Sequence, residues 1–132
     1  MPFQSLAPQP PSYIHLLVCG SRTITDKEWV FAQIDNYLKS FPESIPITII
    51  QGEARGVDSL AKAYAIEHNI PHDDHPADWE HLGISAGYIR NTTMVNLASH
   101  VLVLWDGLSK GTQHSINLAK KQGKPLTVIT YP

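Results

Sequence analysis

Apolar and polar positions along this chain fall into blocks that alternate between strand-like and helix-like spacing. Ile14-His15-Leu16-Leu17-Val18-Cys19 is a nearly continuous apolar run that breaks off into a glycine turn, the pattern of a strand buried on both faces. Thr25, with Glu28 three residues on, reads as a capping box. Val30, Ile34, Leu38 and Phe41 then follow at helical spacing, until the segment Pro42 to Pro46 ends the helix. Ile47 to Ile50 reads as the second strand. A second helix opens near Gly56, presents Val57, Leu60, Ala61, Tyr64 and Ala65 on one face, and stops at Asn69. A weaker strand spans Pro71 to His75, followed by a loop from Pro76 to Ile84 and a helix from about Ser85 to Ser99. Val101 to Trp105 is the fourth strand, Thr112 to Gly123 the fourth helix, and Leu126 to Thr130 the fifth strand. Strands alternating with helices predict a mostly parallel α/β sheet of about five strands with right-handed crossovers. Periodicity does not fix strand order. An order of 3-2-1-4-5 would put a switch point, where ligands collect, between the first and fourth strands.

Three polar, glycine-bearing turns follow the strongest strands and open helices: Gly20-Ser21-Arg22, Gln51 to Asp58, and Trp105 to Thr112. Glycine lets backbone N–H groups approach an anion closely, and a helix N-terminus adds a favourable dipole. Three such turns on one sheet edge point to a phosphate-bearing small molecule.

Composition narrows the partners. A chain of 132 residues, 42% hydrophobic, is expected to form one domain over 14–132, after an extended tail over 1–13. No apolar run approaches the ~20 residues that span a bilayer, and the first dozen residues lack the basic start of a secretory signal. The single Cys19 excludes an internal disulfide and suits a reducing, cytoplasmic setting, with a buried inert thiol as its plain role. Ten Lys and Arg against 12 Asp and Glu give a net charge of −2. That lacks the basic footprint of a nucleic-acid binder, so nucleic acid is set aside as a partner, with a local basic patch left open.

Individual residues suggest roles. Ser21 offers a hydroxyl and Arg22 a guanidinium able to grip phosphate. Asp58 fits two roles equally, ligand acceptor or support for a helix start through the macrodipole. Gly107-Leu108-Ser109-Lys110-Gly111 matches G-x-S-x-G, but the chain is too small for that hydrolase fold, and an anion-cradling turn accounts for it better. His72, Asp73, Asp74, His75, Asp78 and His81 resemble a metal cluster. On a strand, however, His72 and His75 face opposite sides, which favours a solvated strand end and no metal. Trp79 and Trp105 could stack on a base. Arg90 shares a helix face with Met94, and so lies near the buried side in need of a partner, for which a ligand anion or a surface salt bridge would serve.

Taken in order, Gly20-Ser21-Arg22, the Gly-x-Ala-Arg-Gly-Val-Asp stretch at 52–58, Pro76-Ala77-Asp78-Trp79, Ala86-Gly87 with Arg90-Asn91 and Met94, and Trp105-Asp106-Gly107 with Ser109 to Thr112 resemble the YspA/YpsA-related branch of the SLOG (SMF/DprA–Lonely Guy) superfamily. The resemblance covers about residues 14 to 130. It implies a three-layer Rossmann-like α/β fold that binds nucleotides or nucleotide-derived ligands at the carboxyl edge, as sensor or processing protein, often as a homodimer. Ligand contacts are then expected from Gly20, Ser21, Arg22, Gly52, Asp58, Asp78, Trp79, Arg90, Asn91, Asp106, Ser109, Gly111 and Thr112. No cofactor is called for. In Lonely Guy enzymes, which cleave an N-glycosidic bond, the motif ends in a catalytic Glu; Ser115 stands at that place here. Asp78 or Asp106 would have to supply the carboxylate instead, with Asp58 and Glu53 as further options. Glu53 also replaces a glycine frequent in the branch. Binding without turnover is the expectation, with N-glycosidic cleavage as the alternative and single-stranded DNA binding as a third class. Arg90→Ala is expected to abolish ligand binding with little effect on the melting temperature of the free protein.

Overall fold

A computed structural model describes residues 12–132. Most of the expected tail, residues 1–11, lies outside the described residues. Five parallel strands, β1 (Ile14–Gly20), β2 (Ile47–Gln51), β3 (His72–Asp74), β4 (His100–Trp105) and β5 (Leu126–Thr130), form one sheet in the order β3-β2-β1-β4-β5. Helices α1 (Lys27–Leu38) and α2 (Val57–Glu67) connect the first strands; α3 (Trp79–Leu82), α4 (Ala86–Leu97) and α5 (Lys110–Lys121) follow. The chain is thus a Rossmann-like α/β domain.

Alternation along the central strands creates two cores. Ile14, Leu16 and Val18 pack with Ile49, Leu102 and Leu104 beneath α1 and α2, against Val30, Ile34 and Ala61. Leu17 and Cys19 point the other way and join Ile50, Val101 and Val103 beneath α4 and α5, against Met94, Val95 and Ile116. Buried on both faces, β1 and β4 therefore read as unbroken apolar runs. The edge strand β3, only His-Asp-Asp, is short and charged, which discourages pairing with another sheet.

Three local expectations need correction. Helix α1 is capped by Asp26, not Thr25: the Asp26 carboxylate accepts the Trp29 N–H at 3.1 Å, and the helix begins one residue later. The supposed loop at 76–84 contains α3, capped by Asp78, and runs into a 3₁₀ turn at Gly83–Ser85. Helix α5 begins at Lys110, before Thr112, because Ser109 already has the extended backbone of a cap.

Candidate ligand-binding cleft

The strand order places a switch point between β1 and β4, and a cleft of about 310 Å³ opens there at the carboxyl edge. Its walls bring together Gly20, Arg22, Asp58, Arg90, Asn91, Asp106, Ser109, Gly111 and Thr112, nine of the thirteen residues expected to meet a ligand.

The first and third glycine turns are bolted to each other. The Ser21 hydroxyl is buried, accepts the Asp106 N–H at 2.9 Å and shares a 2.9 Å hydrogen bond with the Ser109 hydroxyl. Ser109 in turn donates to the Thr112 hydroxyl at 2.9 Å. A hydroxyl has one proton, so the chain runs from Ser21 to Ser109 to Thr112 and leaves the Thr112 proton at the cleft wall. Ser21 thus works between protein groups, not as an open donor. The third turn is closed by Asp106, whose Oδ1 accepts the N–H groups of Leu108 (2.8 Å) and Ser109 (2.9 Å) and whose Oδ2 accepts from Thr23 (3.1 Å). The two backbone N–H bonds pull its pKa down to about 2. Asp106 is a committed, ionised turn carboxylate and has no proton to give at neutral pH. The Trp105 indole N–H donates to the Ser109 carbonyl at 3.2 Å and braces the same turn.

The second turn is built around Asp58 and Arg90. Gly56 has φ +75°, and a side chain there would run into the carbonyls of Ser21 and Arg22. At Gly52 a Cβ would come within 2.7 Å of Arg90 Nη1 and 2.8 Å of Asp58 Oδ2. Only glycine lets this strand end pass between the two side chains. Asp58 is buried; its Oδ2 accepts the N–H groups of Gly52 (3.2 Å) and Ala54 (3.4 Å). Its Oδ1 makes no hydrogen bond among the described residues. Burial raises its pKa to about 6, opposed by the Arg90 charge and the two amides. Asp58 thus supports the turn through Oδ2 and leaves Oδ1 without a protein partner among the described residues.

Arg90 comes from α4. Its Nη1 donates to the Gly52 carbonyl at 2.5 Å and its Nε to Asn91 Oδ1 at 2.9 Å, while Nη2 makes no hydrogen bond among the described residues. Burial lowers its pKa and the Asp58 charge opposes that. A guanidinium remains charged regardless. Asn91 completes the brace by donating to the Gly111 carbonyl at 3.4 Å. Arg90 is thus part of the frame as well as the wall, and the expectation that Arg90→Ala leaves the free protein unaffected is replaced by a loss of stability.

Glu53 has φ +61° and turns away from the cleft: its Oε1 accepts from Gln51 Nε2 and Lys62 Nζ, both at 2.8 Å. An acidic side chain is tolerated beside the cleft for that reason. Gly52 backs the cleft without lining it. Asp78 and Trp79 lie outside it. Asp78 caps α3 and pairs with His81, and the half-exposed Trp79 packs against Gly87 of α4. In the histidine cluster, His72 pairs with Asp74 and His75 lies beside Asp73, on alternate sides. Among the described residues no group of three or more His, Cys, Asp or Glu could hold a metal ion.

Sequence reasoning missed Thr23 and Ala54 as lining residues, and did not place Cys19, Met94 and Ser115 on the wall. Adjacency to the first two turns was the available signal for Thr23 and Ala54. Cys19 is buried, and its surroundings push the thiol pKa well up, burial most of all and the Asp58 charge next. It is a neutral floor residue without nucleophilic character.

A doubly wound parallel sheet with glycine turns around a switch-point cleft defines the class. Within it, residues 14–81 match the model of the YspA, cpYpsA-related SLOG family, YAcAr. Gene 61 protein of Mycobacterium phage D29 is 32% identical over 117 residues, 84% of this chain and 92% of that protein. The chain belongs to the YspA, cpYpsA-related SLOG family. A solved structure of DNA processing protein A from Helicobacter pylori, described for its single-stranded DNA binding mode, shares the fold with TM-score 0.60 at 19% identity. The match covers 92% of this chain and 67% of that one.

The fold neighbour overturns the exclusion of nucleic acid, since the same architecture serves a protein described as binding single-stranded DNA. The charge is unevenly spread along the sequence. No acidic residue follows Asp106, while Lys110, Lys120, Lys121 and Lys124 do. The net charge of −2 therefore averages over a C-terminal stretch that is basic. Among the described residues no helix is long and apolar enough to cross a membrane.

Proposed function

We propose that the switch-point cleft binds a nucleotide or nucleotide-derived ligand, to sense or sequester it. One observation carries the reading: Arg90, held through Nε and Nη1, lines a cleft bordered by two helix N-termini, and its Nη2 makes no hydrogen bond among the described residues. A pre-oriented guanidinium with a free donor is a strong phosphate anchor. Arg22 adds a second cation, the Thr112 hydroxyl a donor, and Asp58 Oδ1 an acceptor for a ribose hydroxyl. Trp79 of α3 packs on Gly87, one turn before Arg90 on α4.

Cleavage of an N-glycosidic bond is the weaker reading. Asp106 is saturated and ionised, Asp78 lies outside the cleft, and Ser115 is buried without a carboxylate. Asp58 is the one lining carboxyl with a free oxygen and a pKa near 6. If turnover occurs, Asp58 carries it. The fold shared with a protein described for single-stranded DNA binding keeps such binding as a second reading. The homodimer implied by the family resemblance is kept as part of the proposal, with exposed Ile84 in the 3₁₀ turn and Ile89 on α4 as supporting surface. So are a single domain over 14–132 and a cytoplasmic setting, consistent with a free, buried Cys19.

Calorimetric titration with AMP, and separately with oligo-dT at two salt concentrations, tests this. AMP should bind wild type and not Arg90→Ala. Salt-dependent retention of oligo-dT without AMP binding would replace the nucleotide reading by the DNA one. Chromatography for free adenine decides turnover, and sedimentation velocity decides self-association.

A further inference from the structure

The sheet has a second hollow at its opposite end. A cavity of about 510 Å³ lies at the amino edge, where the ends of α1 and α2, the start of β2 and the approach to β3 meet. None of its lining residues borders the switch-point cleft. Its size falls within the range of about 300–1,000 Å³ usual for small-molecule sites. A cavity of about 150 Å³ holds one benzene ring, so there is room here for a ring and a short side chain.

The lining divides in two. Leu38, Phe41, Ile45 and Ile70 form an apolar wall that continues the core beneath α1 and α2. Asp35 of α1 and Tyr64 of α2 supply a polar end. Tyr64 is only 3% exposed, and its hydroxyl donates to Asp35 Oδ1. Burial first, and then the bond to Asp35, push the Tyr64 pKa up, so the phenol keeps its proton at neutral pH. One oxygen of Asp35 is thereby fixed, while Oδ2 makes no hydrogen bond among the described residues. Lys39 and Glu43 also border the cavity, both exposed and of opposite sign, so Asp35 sets the balance of the lining and makes it negative. An anion is disfavoured there. The complement is a cationic head on an apolar body: an ammonium brings the matching charge and three donors, and the rest of the molecule covers the wall.

We propose that the amino-edge cavity is a second ligand site, one that takes a small apolar amine, with its ammonium on Asp35 Oδ2 and its body against Phe41 and Ile70. The site differs from the switch-point cleft in charge as well as in place, and it stands whether or not that cleft binds a nucleotide. Helix α2 contributes to both, with Asp58 in its first turn and Tyr64 near its end.

The test is an NMR titration of the isotope-labelled full chain with probes of one shape and different heads: 2-phenylethylamine, 2-phenylethanol and 3-phenylpropanoate. Wild type should bind the amine with a Kd of about 1 mM or lower and at least about fivefold more tightly than the alcohol, with the carboxylate weakest. The shifted amides should cluster around Phe41 and Ile70. Asp35→Asn keeps an acceptor for the Tyr64 hydroxyl, and should bring the amine to within about twofold of the alcohol. Ile45→Trp, at a half-buried position, should weaken amine and alcohol alike by filling the cavity, with melting temperatures confirming that both variants fold. Equal affinity of wild type for amine and alcohol would overturn the site, as would an amine preference that survives Asp35→Asn. Shifts clustered at the switch-point cleft, or no binding of any probe, would overturn it too.

Discussion

The turns after β2 and β4 are built from the same parts, a glycine, a carboxylate and a helix start, yet they behave as opposites. After β4, Asp106 is only partly buried, uses both oxygens on its own turn and on Thr23, and is ionised down to about pH 2. After β2, Asp58 is buried, uses one oxygen, and resists ionisation up to about pH 6. One turn is complete without a ligand. The other holds a buried carboxyl beside a guanidinium with an idle donor. The difference lies in burial, since a carboxyl ionises readily where it stays hydrated and accepts backbone N–H groups, and reluctantly where burial strips most of its water.

The largest expected effect comes from Arg90→Ala. AMP affinity should fall at least about 100-fold, some 2.7 kcal/mol. The free protein should lose about 2–3 kcal/mol in urea denaturation, because two hydrogen bonds from a charged donor disappear. An unchanged denaturation midpoint would mean that the β2 turn does not depend on Arg90.

Asp58→Asn should act in the other direction on stability. Wild-type Asp58 binds its proton more tightly folded, at about 6, than unfolded, near the ordinary 3.8. The folded state therefore holds more protons between those values, and its stability declines as pH rises through that window. Removing the carboxyl should stabilise the free protein by about 1–3 kcal/mol at pH 7.5, and the gain should vanish by about pH 4. A loss of stability at pH 7.5 would show that the carboxylate is satisfied after all.

The Asp106→Asn change should bring a smaller loss of melting temperature with the reverse pH profile. Here the folded pKa is depressed, so the stabilisation is full above the unfolded value and fades as pH falls toward about 2. Wild type and variant should converge there, and a difference that persists in acid would contradict the electrostatic account. Glu53→Gly should have the smallest effect. Relief of its left-handed backbone, about 1 kcal/mol, opposes the loss of exposed contacts with Lys62 worth up to about 1 kcal/mol. A net loss above about 2 kcal/mol would move the support of the β2 turn from Asp58 to the Gln51–Glu53–Lys62 cluster.

Much of the frame was legible because it is local. The apolar runs of β1 and β4 and the stripe from Val57 to Ala65 state their own burial. Gly20, Gly52 and Gly111 mark the strand-end and helix-start turns that meet at the cleft. Alternation along β3 separated His72 from His75 without coordinates. Less local features were hidden. A four-residue helix such as α3 has no period to detect, so Asp78 looked like a loop carboxylate free to reach the ligand. Thr25 and Asp26 are both good caps, and only the packing of Val30 and Ile34 selects between them. That Asp58 keeps one oxygen free while Asp106 keeps none depends on burial and on the partners each turn brings, which spacing does not encode.

The sheet order has a consequence for how the chain reaches its fold. The central strand β1 pairs on one side with β2, about 30 residues later, but on the other with β4, where Leu16 meets His100, about 84 positions away. Long-range parallel pairing of this kind is slow to close. During synthesis β1 must wait, one edge open, until the residues near 104 have emerged. The segment 14–81 shared with the family model is therefore a recognisable sequence but only half of a folding unit. Chains halted before β4 leave one edge of the apolar strand β1 unpaired and should be the ones that aggregate.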